Sequence, residues 1–370
     1  MNSEVRTVTV TGANGFVGRN LSLRLKESGF DVVPVTRETA AAELQAAFAR
    51  SDAVVHLAGA NRPADPSDFM RINRDFTASV ANAIARCARH PLVIAASSVR
   101  ADEDSEYGSS KRAGERAMEA LGDAATVSIW RLPNVFGKWA RPNYNSVVAT
   151  FCHNLARGLP LRIDDPAAPL TLLYVDDLID QWMAMLAGGP VASRPVEPAG
   201  AYRTTVGDLA ALLQDMAEGR AAGRIANVGG GFERALYATY VSYLAPDQFA
   251  LPVVTHTDSR GSFSEFMRTP GCGQVSILTA HPGETRGGHY HHTKVEKFLV
   301  VRGQARLRFR HLLSNETVEV IATADQPTAI ETVPGWAHDI TNIGGDELVA
   351  LLWASETFDP ARPDTVASPL

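Results

Sequence analysis

An α/β doubly wound parallel sheet followed by a separate all-β sandwich or barrel is the fold class this sequence predicts. Three observations predict it. Short β-branched runs alternate with helical stretches through the first two thirds of the chain, the rhythm of parallel strands with helices on both faces. A glycine-rich turn joins the first strand to the first helix. Around residues 245–255 the rhythm stops, and six or more strand-length runs separated by turn residues take over, which argues for antiparallel β structure. The expected domains are therefore 1–245 and 246–370, within the two-domain prior for 370 residues.

The first strand is RTVTV (6–10). TGANGFVG (11–18) follows, then an amphipathic helix that ends on Gly29. Gly12, Gly15 and Gly18 fall at three-residue steps, where glycine permits a tight turn and a close approach of backbone N–H groups to a pyrophosphate at the helix N-terminus. An ordinary glycine-rich loop would carry the same triplet, so other positions must decide. The second strand, DVVPV, runs into TRET, with Arg37 where a dehydrogenase specific for NAD would place an acid against the ribose 2′-hydroxyl. A guanidinium suits a 2′-phosphate and hence NADPH, the alternative being a solvated loop cation. The third strand, DAVVHLAG (52–59), ends in the small-residue turn Leu57, Ala58 and Gly59. With Asn14 and Phe16 from the first turn, these residues make up the expected coenzyme contacts.

PLVIAASS (91–98) closes a fourth strand on Ser98. Tyr107-Gly-Ser-Ser-Lys111 then opens a helix. One helical turn separates the two side chains, so both reach one cleft. An ammonium beside a phenol favours the phenolate, which is expected to lower the tyrosine pKa and ready it to trade a proton with a carbonyl or alcohol. Alone this spacing is often a solvated helix face; after a TGxxGxxG start and an SS-ended strand it reads as a catalytic set of Ser98, Tyr107 and Lys111.

In the β-rich third, GETRGGHYHHTKVEKFLVVRG (283–303) crowds histidines and a glutamate between glycines. His289 and His291, at i and i+2 of a strand, share a face. Glu296 is expected from the neighbouring segment and His338 from a strand across the barrel. Three imidazoles and a carboxylate suit Zn²⁺, with Fe²⁺, Mn²⁺ or Ni²⁺ open; a lone core histidine would need no such company. His292 faces the other way and reads as a surface or outer-sphere group.

The first 240 residues resemble the extended short-chain dehydrogenase/reductases of nucleotide sugars, of Rossmann type, through TGANGFVG, HLAG, Asn73, Ser98, YGSSK, RLPNVFG (131–137) and YVDD (174–177). That likeness implies proton chemistry by the serine, tyrosine and lysine, and nucleotide-sugar binding by Asn134, Arg141 and Asn145. The histidine pattern resembles the two motifs of the cupin superfamily, a jelly-roll or double-stranded β-helix, with Pro334 directly before Gly335 where members often place it two before. HTDSRGSFSEF (256–266) resembles the entry segment of sugar-nucleotide 3,5-epimerases of the cupin fold, implying that Arg260, Phe263 and Glu265 hold substrate; a turn into an edge strand is the plainer alternative. Taken whole, down to the ending FDPARPDT, the chain is similar to the bifunctional enzymes of capsular-polysaccharide synthesis. The likeness implies C3 epimerisation of UDP-2-acetamido-2,6-dideoxy-β-L-arabino-hexos-4-ulose in the cupin, then NADPH-dependent reduction of its C4 ketone to UDP-2-acetamido-2,6-dideoxy-β-L-talose, toward UDP-N-acetyl-L-fucosamine. His256, Tyr290 and Lys294 remain open as the epimerisation base, and the metal as catalytic or structural. The rival reading is a redox-neutral epimerase or dehydratase with tightly held NAD and a purely structural, dimerising cupin.

Composition narrows the partners. A net charge of −6 without basic runs lacks the electrostatic footprint of a nucleic-acid binder. Three scattered cysteines fit a reducing compartment. No apolar run approaches membrane-spanning length, and the first residues lack a signal-peptide pattern. The expectation is a cytoplasmic enzyme acting on a UDP-4-keto-6-deoxy-N-acetyl sugar, a homodimer through its cupin domain, with neither nucleic-acid nor membrane partners.

Overall fold

The computed structural model describes residues 6–192, 195–252, 255–258, 261–264, 273–356 and 361–370. It divides into two compact units: 1–136 with 143–146 and 170–204, and 137–142 with 147–169 and 205–370.

The first unit opens β1 (Thr7–Thr11), α1 (Phe16–Glu27), β2 (Asp31–Val35), α2 (Ala41–Arg50) and β3 (Ala53–His56). A single turn, α3 (Asp68–Met70), runs through a π-helical turn at Arg71–Phe76 into α4 (Thr77–Ala85). Then come β4 (Leu92–Ser98), α5 (Glu106–Glu119) and β5 (Thr126–Leu132). All five strands pair in parallel, in the order β2-β1-β3-β4-β5. Val8, Val10, Val54, Val55, Val93 and Ile94 are fully buried, as strands covered on both faces require. The strand order reverses between β1 and β3, so a crevice opens beyond their carboxyl ends, the place where such sheets bind ligands.

Farther along lie β6 (Asn134–Phe136), α6 (Val147–Ala156), β7 (Pro169–Tyr174), α7 (Val175–Leu186) and β8 (Tyr202–Thr205); β6, β7 and β8 form a small second sheet. α6 belongs to the second unit, with α8 (Val206–Ala221) and α9 (Gly231–Val241).

The rest of the second unit is β structure: β9 (Ala250–Pro252), β10 (Thr255–Asp258), β11 (Gly261–Ser264), β12 (Gln274–Ala280), β13 (Thr285–Tyr290), β14 (Glu296–Arg302), β15 (Gln304–His311), β16 (Thr317–Thr323), β17 (Thr328–Glu331), β18 (Trp336–Asn342), β19 (Leu348–Ala354) and β20 (Val366–Ala367). Two five-stranded sheets, β12-β19-β14-β17-β9 and β16-β15-β18-β13-β20, make a jelly-roll sandwich, and β10 and β11 form a separate hairpin. The fold is therefore the expected one, Rossmann-type doubly wound α/β followed by an all-β cupin-like sandwich. Among the described residues no helix is long and apolar enough to cross a membrane.

Candidate functional site

In the first unit the cleft expected to hold coenzyme is built by the turn after β1. Gly12 has φ +68°, and a Cβ there would stand 2.9 Å from the Ala58 nitrogen and 3.0 Å from the Leu57 carbonyl carbon. Only glycine permits both the left-handed backbone and this approach. The turn is also pinned to β2, Gly12 N–H donating to the Val35 carbonyl at 3.0 Å. Gly12, Gly15, Leu57, Ala58 and Gly59 thus gather at the reversal of strand order, with Asn14 exposed and Phe16 half-buried beside them. α1 begins after Gly15 with no side-chain cap and no acid in its first turn, leaving its N–H groups and positive dipole end for an anion. Arg37 follows β2 by two residues, is exposed, and makes no ion pair among the described residues.

The residues expected to handle the proton lie at the ends of β4 and α5. Ser98 is the last residue of β4, and its hydroxyl accepts from the Arg100 N–H at 3.2 Å. Ser105 caps α5 by accepting from the Gly108 N–H at 3.0 Å, which fixes Tyr107 in the first turn. Tyr107 donates to Asn61 Oδ1 at 3.3 Å, and Lys111 Nζ stands 5.9 Å from its ring centroid. A Cβ at Gly59 would come 3.0 Å from Lys111 Nζ, so the ammonium lies against the end of β3. One expectation fails here. Burial raises the Tyr107 phenol above its ordinary value, outweighing the Ser98 hydrogen bond and the Arg100 charge that lower it. Desolvation wins, and the tyrosine is a protonated donor at neutral pH. Burial also lowers Lys111 to about 8, against the charge of Glu115.

Sequence reasoning missed the scaffold beneath. Asn73, in the π-helical turn, accepts from Ala60 N–H at 2.8 Å and donates to the Ala60 carbonyl and to Ser110 Oγ, both at 3.0 Å. It locks the segment after β3 to α5. Buried Glu115 takes two hydrogen bonds from Arg131, at 2.9 and 2.8 Å, and one from Ser97. Burial and then the Lys111 charge push His56 down to about 3, so it is neutral between Thr11 (2.8 Å) and Thr77 (3.0 Å). Asn73 appeared in the family pattern; Glu115 and Arg131 carry no local signal as a pair.

Asn134, Arg141 and Asn145 are all exposed. Arg260 and Glu265 lie outside the described residues; Phe263 sits in β11 and His256 in β10, with only their backbone described.

In the second unit His289, His291, Glu296 and His338 offer ligand atoms all within 4.8 Å of one another. Their origin differs from expectation. His338 is on β18, the hydrogen-bonded neighbour of β13, and pairs directly with His289. Glu296 opens β14 in the facing sheet. A bulge produces this: Gly287 and Gly288 have φ +98° and +71°, the register shifts before His289, and a Cβ at Gly287 would meet the His338 carbonyl oxygen at 3.0 Å. Glu296 Oε2 lies 3.3 Å from His291 Nε2 and 3.4 Å from His338 Nε2.

Both of those Nε2 atoms are buried without a hydrogen-bond partner, a costly state that a bound cation would relieve. The His291 Nδ1 lies 2.6 Å from the Asp364 carbonyl oxygen. A carbonyl only accepts, so Nδ1 carries the proton and the Nε2 lone pair faces the cluster. Burial, then the neighbouring His338 and His291, push His289 down to about 4, and burial likewise lowers His338. Burial alone would raise Glu296, but the adjacent His291 and His338 hold it well below its ordinary value. The donor set fits a borderline divalent ion. It borders a cavity of about 220 Å³ lined also by Leu278, Phe298, Leu307, Ile340 and Leu352. His292 corrects another expectation: it is 4% exposed, so it is no surface group. Tyr290 alternates to the opposite side of β13 and its ring meets His292 edge to face, the centroids 5.4 Å apart. Lys294 Nζ donates to Thr365 Oγ1 at 3.0 Å and lies 3.9 Å from Glu296.

Comparison with known proteins follows the same two parts. Residues 8–192 match the NAD dependent epimerase/dehydratase family, and residues 256–366 the polysaccharide biosynthesis C-terminal domain. The UDP-2-acetamido-2,6-beta-L-arabino-hexul-4-ose reductase of Pseudomonas aeruginosa is 47% identical, covering 97% of this chain and 98% of its own. The crystal structure of the capsular polysaccharide assembling protein CapF from Staphylococcus aureus is similar at 36% identity and a TM-score of 0.66, covering 98% of this chain and 100% of its own. RMD from Pseudomonas aeruginosa, solved with NADPH, shares the fold at 21% identity and a TM-score of 0.50, over 58% of this chain and 82% of its own.

Proposed function

Because the chain belongs to the NAD dependent epimerase/dehydratase family, in the two-domain form that CapF represents, we propose that it is a bifunctional nucleotide-sugar enzyme. Its cupin inverts C3 of UDP-2-acetamido-2,6-dideoxy-β-L-arabino-hexos-4-ulose, and its Rossmann domain reduces the C4 ketone with NADPH. The product is UDP-2-acetamido-2,6-dideoxy-β-L-talose, toward UDP-N-acetyl-L-fucosamine for capsule or O-antigen. The reductase half is supported by the name of the 47% identical relative and by the Ser98, Tyr107 and Lys111 set.

The observation that carries the bifunctional reading is the four-ligand cluster on a cavity of about 220 Å³, which a plain reductase does not need. The C3 proton is acidic because it lies alpha to the C4 carbonyl; its removal leaves an enolate, and reprotonation on the other face inverts the centre. His289, His291, Glu296 and His338 would hold a divalent ion such as Zn²⁺, which when bound supplies Lewis acidity for a carbonyl oxygen. Reduction erases the ketone and with it the acidity, so epimerisation comes first. In the reductase site the coenzyme supplies hydride, Tyr107 gives its proton to the C4 oxygen, and Ser98 hydrogen-bonds that oxygen. Arg37, exposed and without an ion pair among the described residues, supports NADPH over NADH; the relative rates of the two coenzymes at 340 nm check it.

The deciding experiment is deuterium uptake at C3 in D₂O without coenzyme. The wild type is expected to exchange, and His338→Ala to slow exchange at least ~100-fold, the loss of a few kcal/mol of Lewis-acid stabilisation. Undiminished exchange would leave the cupin a structural module.

Dimerisation through the cupin is supported by an apolar outer strand. On β12, at the edge of its sheet, Val275 and Ile277 are 58% and 70% exposed, and Ile277 pairs across with half-buried Leu351. We infer that a second copy covers this face. Light scattering is expected to give twice the 39.7 kDa chain mass, falling to one chain for Ile277→Lys.

A further inference from the structure

The ending of the chain, read only as part of the family pattern, has a physical task at the ligand cluster. β20 pairs with β13, Ala367 opposite His289 and Val366 opposite Tyr290. The Ser368 N–H donates to the Gly288 carbonyl at 2.7 Å, and Arg310 donates to Ser368 Oγ at 3.0 Å and to the Pro369 carbonyl at 3.2 Å. The segment therefore lies along the bulged strand that carries His289 and leads into His291.

Asp364 is its centre. One carboxylate oxygen accepts from the His292 N–H at 2.9 Å. The other accepts from the Thr293 N–H (2.9 Å), the Lys294 N–H (2.8 Å) and Thr293 Oγ1 (3.0 Å). Its own carbonyl takes the His291 Nδ1 proton at 2.6 Å. The residue holds φ +30°, a backbone state that costs energy for a side-chain-bearing residue and persists where surroundings impose it. One residue thus ties down every backbone N–H from 292 to 294, between ligands His291 and Glu296, and fixes the ring of one ligand.

We propose that Asp364 is a positioning residue of the metal centre, holding the 291–294 turn and the His291 imidazole in the arrangement that retains one divalent cation. The proposal rests on the metal reading of the four-ligand cluster. Groups outside a metal's own ligands set its affinity by orienting them, by 10–100-fold when removed.

The test uses the full-length chain loaded with Zn²⁺ or Co²⁺. Metal per chain is measured after dialysis against graded chelator, the Co²⁺ absorption spectrum reports ligand geometry, and melting of the metal-free protein reports folding. Wild type is expected to hold one equivalent and His289→Ala none; a wild type that holds none sinks the metal reading itself. Given a metal-binding wild type, Asp364→Ala is expected to lose affinity roughly 10–100-fold with an altered Co²⁺ spectrum and near-native metal-free melting. Asp364→Asn, which keeps an oxygen acceptor, is expected to recover part of the affinity, and it decides by the same criteria if the alanine variant does not fold. Wild-type affinity and spectrum in the variants overturn the proposal. So does an affinity loss matched by an equal loss of metal-free stability with the spectrum unchanged, because the segment would then be a staple and nothing more.

Discussion

Tyr107→Phe is expected to slow ketone reduction by about 10²–10⁴-fold, the contribution of a positioned proton donor, while C3 exchange continues at its wild-type rate. The two outcomes are separable because the phenol and the ligand cluster belong to different units. The direction of proton flow follows from the site. Burial raises the Tyr107 phenol above its ordinary value, so the hydroxyl is protonated through the neutral range, the state a ketone reductase needs. The reverse reaction would need the phenolate. The pH dependence comes from the neighbour: burial lowers Lys111 to about 8, and its charge steadies the phenolate that forms as the proton leaves. That charge is present below pH 8 and lost above it. kcat/KM for reduction, which reports the free enzyme, should therefore be flat near neutrality and fall as pH rises through about 8. A flat profile to pH 10, or a phenylalanine variant that still consumes coenzyme at the wild-type rate, would remove Tyr107 and Lys111 from the chemistry.

Glu331→Ala is expected to cost about 3–5 kcal/mol of unfolding free energy, the usual penalty for leaving a buried charge uncompensated. Glu331 is fully buried; Lys297 Nζ lies 2.9 Å from it, Arg220 makes a second ion pair with it, and the Tyr237 hydroxyl donates to it at 3.4 Å. Burial would raise this carboxyl, yet Lys297 and Arg220 keep it below its ordinary value. The two cations, 3% and 7% exposed, would be stranded by the substitution. Removing all three charges together, with Arg220→Met, Lys297→Met and Glu331→Leu, is expected to be neutral or stabilising, since a well-packed apolar cluster avoids the desolvation cost. Urea unfolding of the single and triple variants checks both. Equal losses in the two would mean that packing, rather than charge, decides.

The fold was legible where local chemistry and tertiary position agree. DVVPV and EKFLVVR form strands where the sequence places them, because β-branched and aromatic residues suit a pleated, buried surface. Gly12 could be read because one glycine serves both turn and contact. The ligand set was legible as residues but not as geometry. Spacing gives His289 and His291 one face; it cannot reveal a bulge at Gly287, so His338 was expected across the barrel rather than beside His289. Asp364 lies 73 residues from His291, and no periodicity links them. The Tyr107 shift was misjudged because a motif records neighbours and not burial.

The ion cluster at Glu331 also bears on where the chain can be cut. Arg220 and Tyr237 lie on α8 and α9, helices that precede the β-rich third, and both point their polar atoms at a carboxylate of β17. A polypeptide ending near residue 245 would leave the Arg220 guanidinium without this carboxylate and the Tyr237 hydroxyl without its acceptor. Cutting the chain at that point is therefore expected to strand buried charge on both pieces and leave neither stably folded.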